Sequence, residues 1–260
     1  MTKTRTHLLG AAGIVLMLTT GCAGHDSAEP GGSGSPASSK ELAAAGPGVS
    51  RVILLGDSVA KGEGVALSAA FGAAEVEFSS MASDGGGNVV GPFSEKQWKP
   101  LTKLLSTARP STVIYQITSY DWGTEEEQLA GYQRLVEEVT EVGGRLVFVT
   151  MPPIRPDDFY APHMAELERA PEVARQVTED SSGGAEFLDA EEVWGDAYEQ
   201  ERDGKADRSS DGIHTCPQGA ARFSSWLLDQ LADLYPSFTP ADPADWANTG
   251  WSADSQFVGC

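Results

Sequence analysis

Positive charge is in short supply in this chain. Its 18 lysines and arginines face 38 aspartates and glutamates, a formal net charge of −20 over 260 residues. Such a surface repels phosphate backbones and anionic lipid, which argues against nucleic acid as a partner. Cysteine is scarce at three residues, and there are four histidines. Three thiols cannot staple a disulfide-built scaffold, and no Cys/His spacing suits zinc, so neither metal nor cofactor is expected. Gly62-Glu63-Gly64 lacks the third glycine of a dinucleotide fingerprint. The apolar run Leu8–Leu18 is too short to span a bilayer.

That run does suit an export leader. Met1–His7 is short and basic, and Leu8–Leu18 is followed by Thr19-Thr20-Gly21-Cys22. The stretch resembles a bacterial lipoprotein signal, whose cysteine becomes the lipidated first residue of the mature chain. The family prefers Leu three places before the cysteine, where this chain has Thr19 with Leu18 beside it. The resemblance implies a signal peptide over 1–21, a lipid at Cys22 and a protein exported and held on the outer face of the cell membrane, or secreted. Residues 22–48 are rich in Gly, Ser, Ala and Pro and read as a flexible tether. In an oxidising compartment Cys216 and Cys260 remain, either as a bridge that staples the tail beside His214 or as two free thiols.

From Arg51 onward strand-like and helix-like segments alternate, the pattern of a parallel sheet with helical crossovers. Strands are expected at Val52–Leu55, Val76–Ser79, Thr112–Ile117, Arg145–Thr150 and Ala185–Leu188. Helices are expected over Ala60–Ala70, Lys96–Ala108, from Thr124 to Gly143, Met164–Glu179, Glu191–Gln200 and Pro217–Leu234. The third is the best specified: Thr124 and Glu127 form a capping box, and Leu129, Tyr132, Leu135, Val136 and Val139 share a face. Trp98, Trp194 and Trp226, at helical positions, are expected in the core. The fold class is therefore α/β: a three-layer α/β/α sandwich with a five-stranded, parallel, flavodoxin-like sheet. The domain runs over 49–235, and 236–260 is a tail packed on its surface, not a structural element.

The chemistry concentrates in two fragments. Arg51-Val52-Ile53-Leu54-Leu55 ends abruptly at Gly56-Asp57-Ser58, which is how a buried parallel strand delivers a serine to its carboxyl end. A serine hydroxyl needs a base to take its proton, and the base needs an orienting acid. His7 and His25 lie in the leader and tether. Of the two that remain, only His214 has a carboxylate at a fixed short spacing, Asp211. The α/β-hydrolase elbow is the alternative, since Gly56-x-Ser58-x-Ala60 approaches it, but there the serine follows a central strand and acid and base come from separate loops.

Gly-Asp-Ser after the first strand, with Asp-x-x-His before the last helix, resembles the SGNH/GDSL hydrolase superfamily. More narrowly, the Gly56–Ala60 block, Asp121-Trp122, the Met151-Pro152-Pro153 turn and Asp211–His214 look like SGNH domains of actinobacterial envelope proteins, some of them attached to membrane acyltransferases. The resemblance implies a Ser58–His214–Asp211 triad and a serine esterase acting on a small acyl ester, for instance O-acetyl on an envelope or extracellular glycan. An O-acyltransferase, or a non-catalytic glycan-binding lipoprotein, is the alternative; in each case the protein is expected to be a monomer. The superfamily's oxyanion hole also takes a glycine amide after the second strand, here Gly85 or Gly86, although a glycine cluster equally serves a turn. Its third block reads Gly-x-Asn-Asp, where this chain has Thr118-Ser119-Tyr120-Asp121. With the asparagine absent, the amide of Ser58, the Tyr120 hydroxyl and the Asn88 amide are the candidate donors. Asp57, Trp122 and His163 are candidates to contact substrate, Asp121 either to contact substrate or to serve the structure, and His163, Arg155 and Phe159 to form a lid.

Overall fold

The computed structural model describes residues 48–260. The leader, Cys22 and the tether up to residue 47 lie outside the described residues. Five parallel strands form one sheet: β1 (Arg51–Leu55), β2 (Glu77–Ser80), β3 (Thr112–Gln116), β4 (Arg145–Val149) and β5 (Ala185–Leu188). Their order is β2-β1-β3-β4-β5, the flavodoxin-like arrangement. In such a sheet the chain changes direction between β1 and β3, and a crevice opens beyond their carboxyl ends. Ser58 follows one of those ends and Thr118–Asp121 the other.

Strand alternation sorts the core into two halves. Val52 and Leu54 of β1, Ile114 of β3 and Val147 and Val149 of β4 point to one face, against α1 (Ser58–Ala73) and α6 (Pro217–Leu234). Ile53 and Leu55, Val113 and Tyr115, and Leu146 and Phe148 point to the other. There they meet α2 (Ser94–Ala108), α3 (Glu125–Glu141) and α4 (Met164–Asp180). α1 and α6 pack closely against each other.

The capping box of α3 is present: the Thr124 side chain accepts from the Glu127 amide, and Glu127 accepts from the Thr124 amide at 2.8 Å. Three readings are corrected. The short helix after β5, α5, covers only Glu191–Trp194, because Gly195, at φ +77°, turns the chain out of helical conformation. A two-stranded hairpin follows, β6 (Glu201–Arg202) with β7 (Lys205–Ala206), turned by Asp203-Gly204, both at positive φ. The tail does form elements: α7 (Pro243–Trp246) and a 3-10 turn at Trp251–Ala253. It also gives the core a side chain, Trp246, which is 2% exposed. Trp98 and Trp194 are buried, whereas Trp226 is only half-buried and points its indole nitrogen at Glu192.

Candidate active site

Three backbone features fix the position of Ser58, the candidate nucleophile. Gly56 sits at φ +151°, where a Cβ would meet that of Ala60 at 2.5 Å, so only glycine allows the sharp exit from β1. Asp57 then caps α1, accepting from the Val59 amide at 2.9 Å. Ser58 is consequently the first residue of a 16-residue helix, and its amide lies among the N–H groups that have no intrahelical partner.

Asp211 and His214 arrive on the loop before α6. The Asp211 Oδ1 accepts from the amides of Ile213 at 2.8 Å and His214 at 3.0 Å, which folds the loop back on itself. Oδ2 accepts from the His214 Nδ1 at 2.7 Å, and the His214 Nε2 lies 2.8 Å from the Ser58 Oγ. The short spacing read in the sequence thus becomes a turn in which one carboxylate sets both the backbone and the imidazole. Burial works to raise the Asp211 pKa, but the hydrogen bonds from the His214 ring and the two amides win and bring it down to about 2.

Behind this loop lies Arg208, 2% exposed, which the sequence alone did not single out. Its guanidinium donates to the carbonyls of Ile213 at 2.5 Å, Pro153 at 2.9 Å and His214 at 3.3 Å, tying the histidine loop to the turn after β4. Burial lowers the pKa of Arg208, while Glu63 and other acids oppose the shift. Arg155 donates to the Ser210 carbonyl at 2.7 Å and so clamps the same loop from outside; it is a brace and not a lid.

A cavity of about 360 Å³ opens over the serine, lined by Ser58, Asp84, Gly85, Asp211, His214, Gln256 and Val258. Gly85 is on its wall, and the Gly85 amide has no acceptor among the described residues. Gly86 is not on that wall and packs toward Gln97. Gly87 was not singled out, yet it is the glycine that packing demands: a Cβ there would lie 1.9 Å from the Gly56 carbonyl oxygen. Asp84 at the rim pairs with Lys61.

Several candidate contacts do not reach this cavity, for identifiable reasons. Both hydrogens of the buried Asn88 amide are spent on the carbonyls of Val90 and Pro92, leaving none for an oxyanion. Tyr120 packs its ring among Phe93, Trp122, Phe159 and Tyr160. Burial there, and the neighbouring Tyr160, raise its hydroxyl pKa. Asp57 is 1% exposed; its Oδ2 accepts from the Ser119 amide at 2.8 Å and the Ser119 hydroxyl at 2.7 Å, so it is structural. Burial raises its pKa, against the bonds from Ser119 and Val59. Asp121, fully buried, accepts from the hydroxyls of Tyr115 and Tyr132 and the Thr118 amide, and is structural too. Burial pushes its pKa up to about 7 despite those bonds. Trp122 stacks on His163 at 3.8 Å between centroids and lines a different cavity beside Trp98 and Arg134.

Cys216 is bonded to Cys260, which brings the tail to the histidine loop. Because of that bond Gln256 and Val258 border the serine cavity, a placement no local motif announced.

No protein-family model matches the sequence, and no curated protein matches it. Solved structures do. LAE5, an alpha/beta hydrolase enzyme from the metagenome of Lake Arreo, Spain, is 17% identical with a TM-score of 0.53, over 72% of this chain and 97% of that one. A GDSL-like lipase from Bacteroides thetaiotaomicron is 10% identical with a TM-score of 0.51, over 71% and 88%. A catalytic mutant of Axe2, an acetylxylan esterase from Geobacillus stearothermophilus, is 13% identical with a TM-score of 0.50, over 71% and 94%. With its β2-β1-β3-β4-β5 parallel sheet between helical layers, the chain has the α/β/α fold of the SGNH/GDSL hydrolases.

Proposed function

We propose that the protein is a serine ester hydrolase that removes a small acyl group from a hydroxyl. One observation carries the reading: the unbroken line from Asp211 Oδ2 through the His214 ring to the Ser58 Oγ, at 2.7 and 2.8 Å. These are the distances at which a base takes a proton from a nucleophile and an acid steadies the base. Ser58 Oγ attacks the ester carbonyl as His214 Nε2 takes its proton. The negative oxygen lies toward the amides of Ser58 and Gly85, with the positive end of α1 behind it. His214 returns the proton to the leaving alcohol, and water, activated by the same imidazole, releases the acid from the acyl-serine.

The substrate class we propose is an O-acetyl or similar short ester, for instance on an envelope or extracellular glycan; the solved acetylxylan esterase of like fold supports that class. An acceptor hydroxyl in place of water would make the same site an acyltransferase. A non-catalytic, glycan-binding role has one observation in its favour: neither Tyr120 nor Asn88 replaces the asparagine donor, and loss of one such donor typically costs about 10²–10³ in kcat. We also propose that the protein is exported and anchored at Cys22, for which the leader pattern and the disulfide are the support. The test is a fluorophosphonate adduct seen by intact mass, together with aryl acetate hydrolysis. Both are expected for the wild type and neither for Ser58→Ala; absence of both from the wild type overturns the catalytic reading.

A further inference from the structure

The segment from Asp254 to Cys260 is held at both ends. On one side an aromatic ladder runs from Trp246, buried in the core, to Trp251 at 6.5 Å and on to Phe257 at 5.9 Å. The Trp251 indole also donates to the Trp246 carbonyl at 2.9 Å. On the other side the Cys216 bond and a Ser210 amide to Gly259 carbonyl bond of 3.0 Å fasten the chain to the histidine loop. Gly259, at φ +75°, makes that approach possible, since a Cβ there would lie 2.6 Å from the Ser209 Oγ.

Between these anchors Phe257 turns into the ladder, while its neighbours Gln256 and Val258 border the cavity that holds Ser58 and His214. Val258 is 68% exposed, an apolar side chain at the lip of an otherwise polar site that no protein group covers among the described residues. Its isopropyl group is a wall at the edge of that cavity, and Gln256 is a neutral polar residue beside it.

We propose that Gln256 and Val258 are specificity-determining residues that restrict the Ser58 site to short acyl groups, with the Cys216–Cys260 disulfide as their positioning element. The proposal rests on the ester-hydrolase reading. An acetyl group occupies little of a cavity of about 360 Å³, and a longer chain leaving it on the side of the tail passes Val258. Hydrophobic walls discriminate by roughly 10- to 200-fold per methylene-sized change, so altering this wall should move selectivity visibly.

The experiment measures kcat/KM on p-nitrophenyl acetate, butyrate and octanoate, with fluorophosphonate labelling of Ser58 to confirm an intact site. Val258→Ala should raise the octanoate-to-acetate ratio about 10-fold, and Val258→Trp should lower the butyrate-to-acetate ratio by a similar factor. The double variant Cys216→Ser/Cys260→Ser should shift the ratio in the Val258→Ala direction. If it does not fold, the two Val258 variants, at an exposed position, still decide the matter. An active wild type whose ratios are unchanged in both Val258 variants overturns this proposal alone. A wild type that neither labels at Ser58 nor hydrolyses any of the three esters overturns this proposal and the hydrolase reading together.

Discussion

Asp211→Asn isolates what the carboxylate does for His214. The asparagine carbonyl can stand where Oδ1 is and keep the bonds from the Ile213 and His214 amides, so the loop should retain its shape. The amide nitrogen then faces His214 Nδ1 in place of Oδ2. An N–H there can only donate, which forces the ring proton onto Nε2, the atom 2.8 Å from the Ser58 Oγ. A protonated, neutral Nε2 cannot accept the serine proton. In a buried serine-protease triad the same swap costs about 10⁴ in kcat. Here the acid and the histidine side chains are 43% and 35% exposed, so water shares the work of stabilising the imidazolium and the penalty shrinks. We expect kcat to fall by about 10²–10³, equivalent to about 3–4 kcal/mol, with KM little changed. Asp211→Ala removes the backbone bonds as well and should fall further. Stopped or steady-state hydrolysis of p-nitrophenyl acetate gives the numbers, with Ser58→Ala as the floor. An Asp211→Asn rate close to wild type, with Ser58→Ala inactive, would refute this use of Asp211.

Three further outcomes follow from the packing. Asp121 has a folded pKa of about 7 against 3.8 for the free group, so its contribution to stability is fully present below pH 3.8 and is lost as pH rises through 7. That amounts to at most about 4 kcal/mol, and Asp121→Asn should flatten the corresponding fall in Tm between pH 4 and 8; a wild-type Tm that does not fall over that range contradicts it. Gly87→Ala should cost about 3 kcal/mol or more in urea unfolding, since its Cβ has no room against the Gly56 carbonyl and φ is +83°. Thr124→Ala should cost about 1 kcal/mol by removing one half of the capping box, with kcat unchanged, as read by thermal melts and initial rates.

What could be read ahead of the structure was what depends on local pattern. The β-branched run before Gly56 and the Thr124–Glu127 pair each signal themselves within a few residues, and the strand order followed from crossover rules. Even the meeting of Ser58 with His214 rests on two short patterns plus that topology. What stayed hidden depends on who sits next to whom. Asp57 and Asp121 carry the carboxylates of a binding site and Asn88 an amide donor, but neighbours take up the carboxylate oxygens and both amide hydrogens. Arg208 looks like any surface arginine until it is buried under three carbonyls. Gln256 and Val258 matter only because the Trp246 ladder and one disulfide bring the tail across. The hairpin after α5 carries a local turn signal, Asp203-Gly204, but its strands are too short to show alternation.

The pairing of α1 with α6 has a mechanical consequence. Ser58 is the first residue of one helix and His214 lies two residues ahead of the other's N-cap, so the two helices act as the arms of a caliper whose jaws are Ser58 and His214. The buried Gly62 shows how closely one arm approaches the histidine loop: a Cβ there would already lie 3.2 Å from the Oγ1 of Thr215, the residue after His214. A 16-residue arm is about 24 Å long, so a tilt of about 2–3° at its far end moves the jaw by about 1 Å. Displacements of that size can cost about 10² in rate. The gap between Ser58 and His214 is thus gauged along the whole length of two helices and not only at their tips.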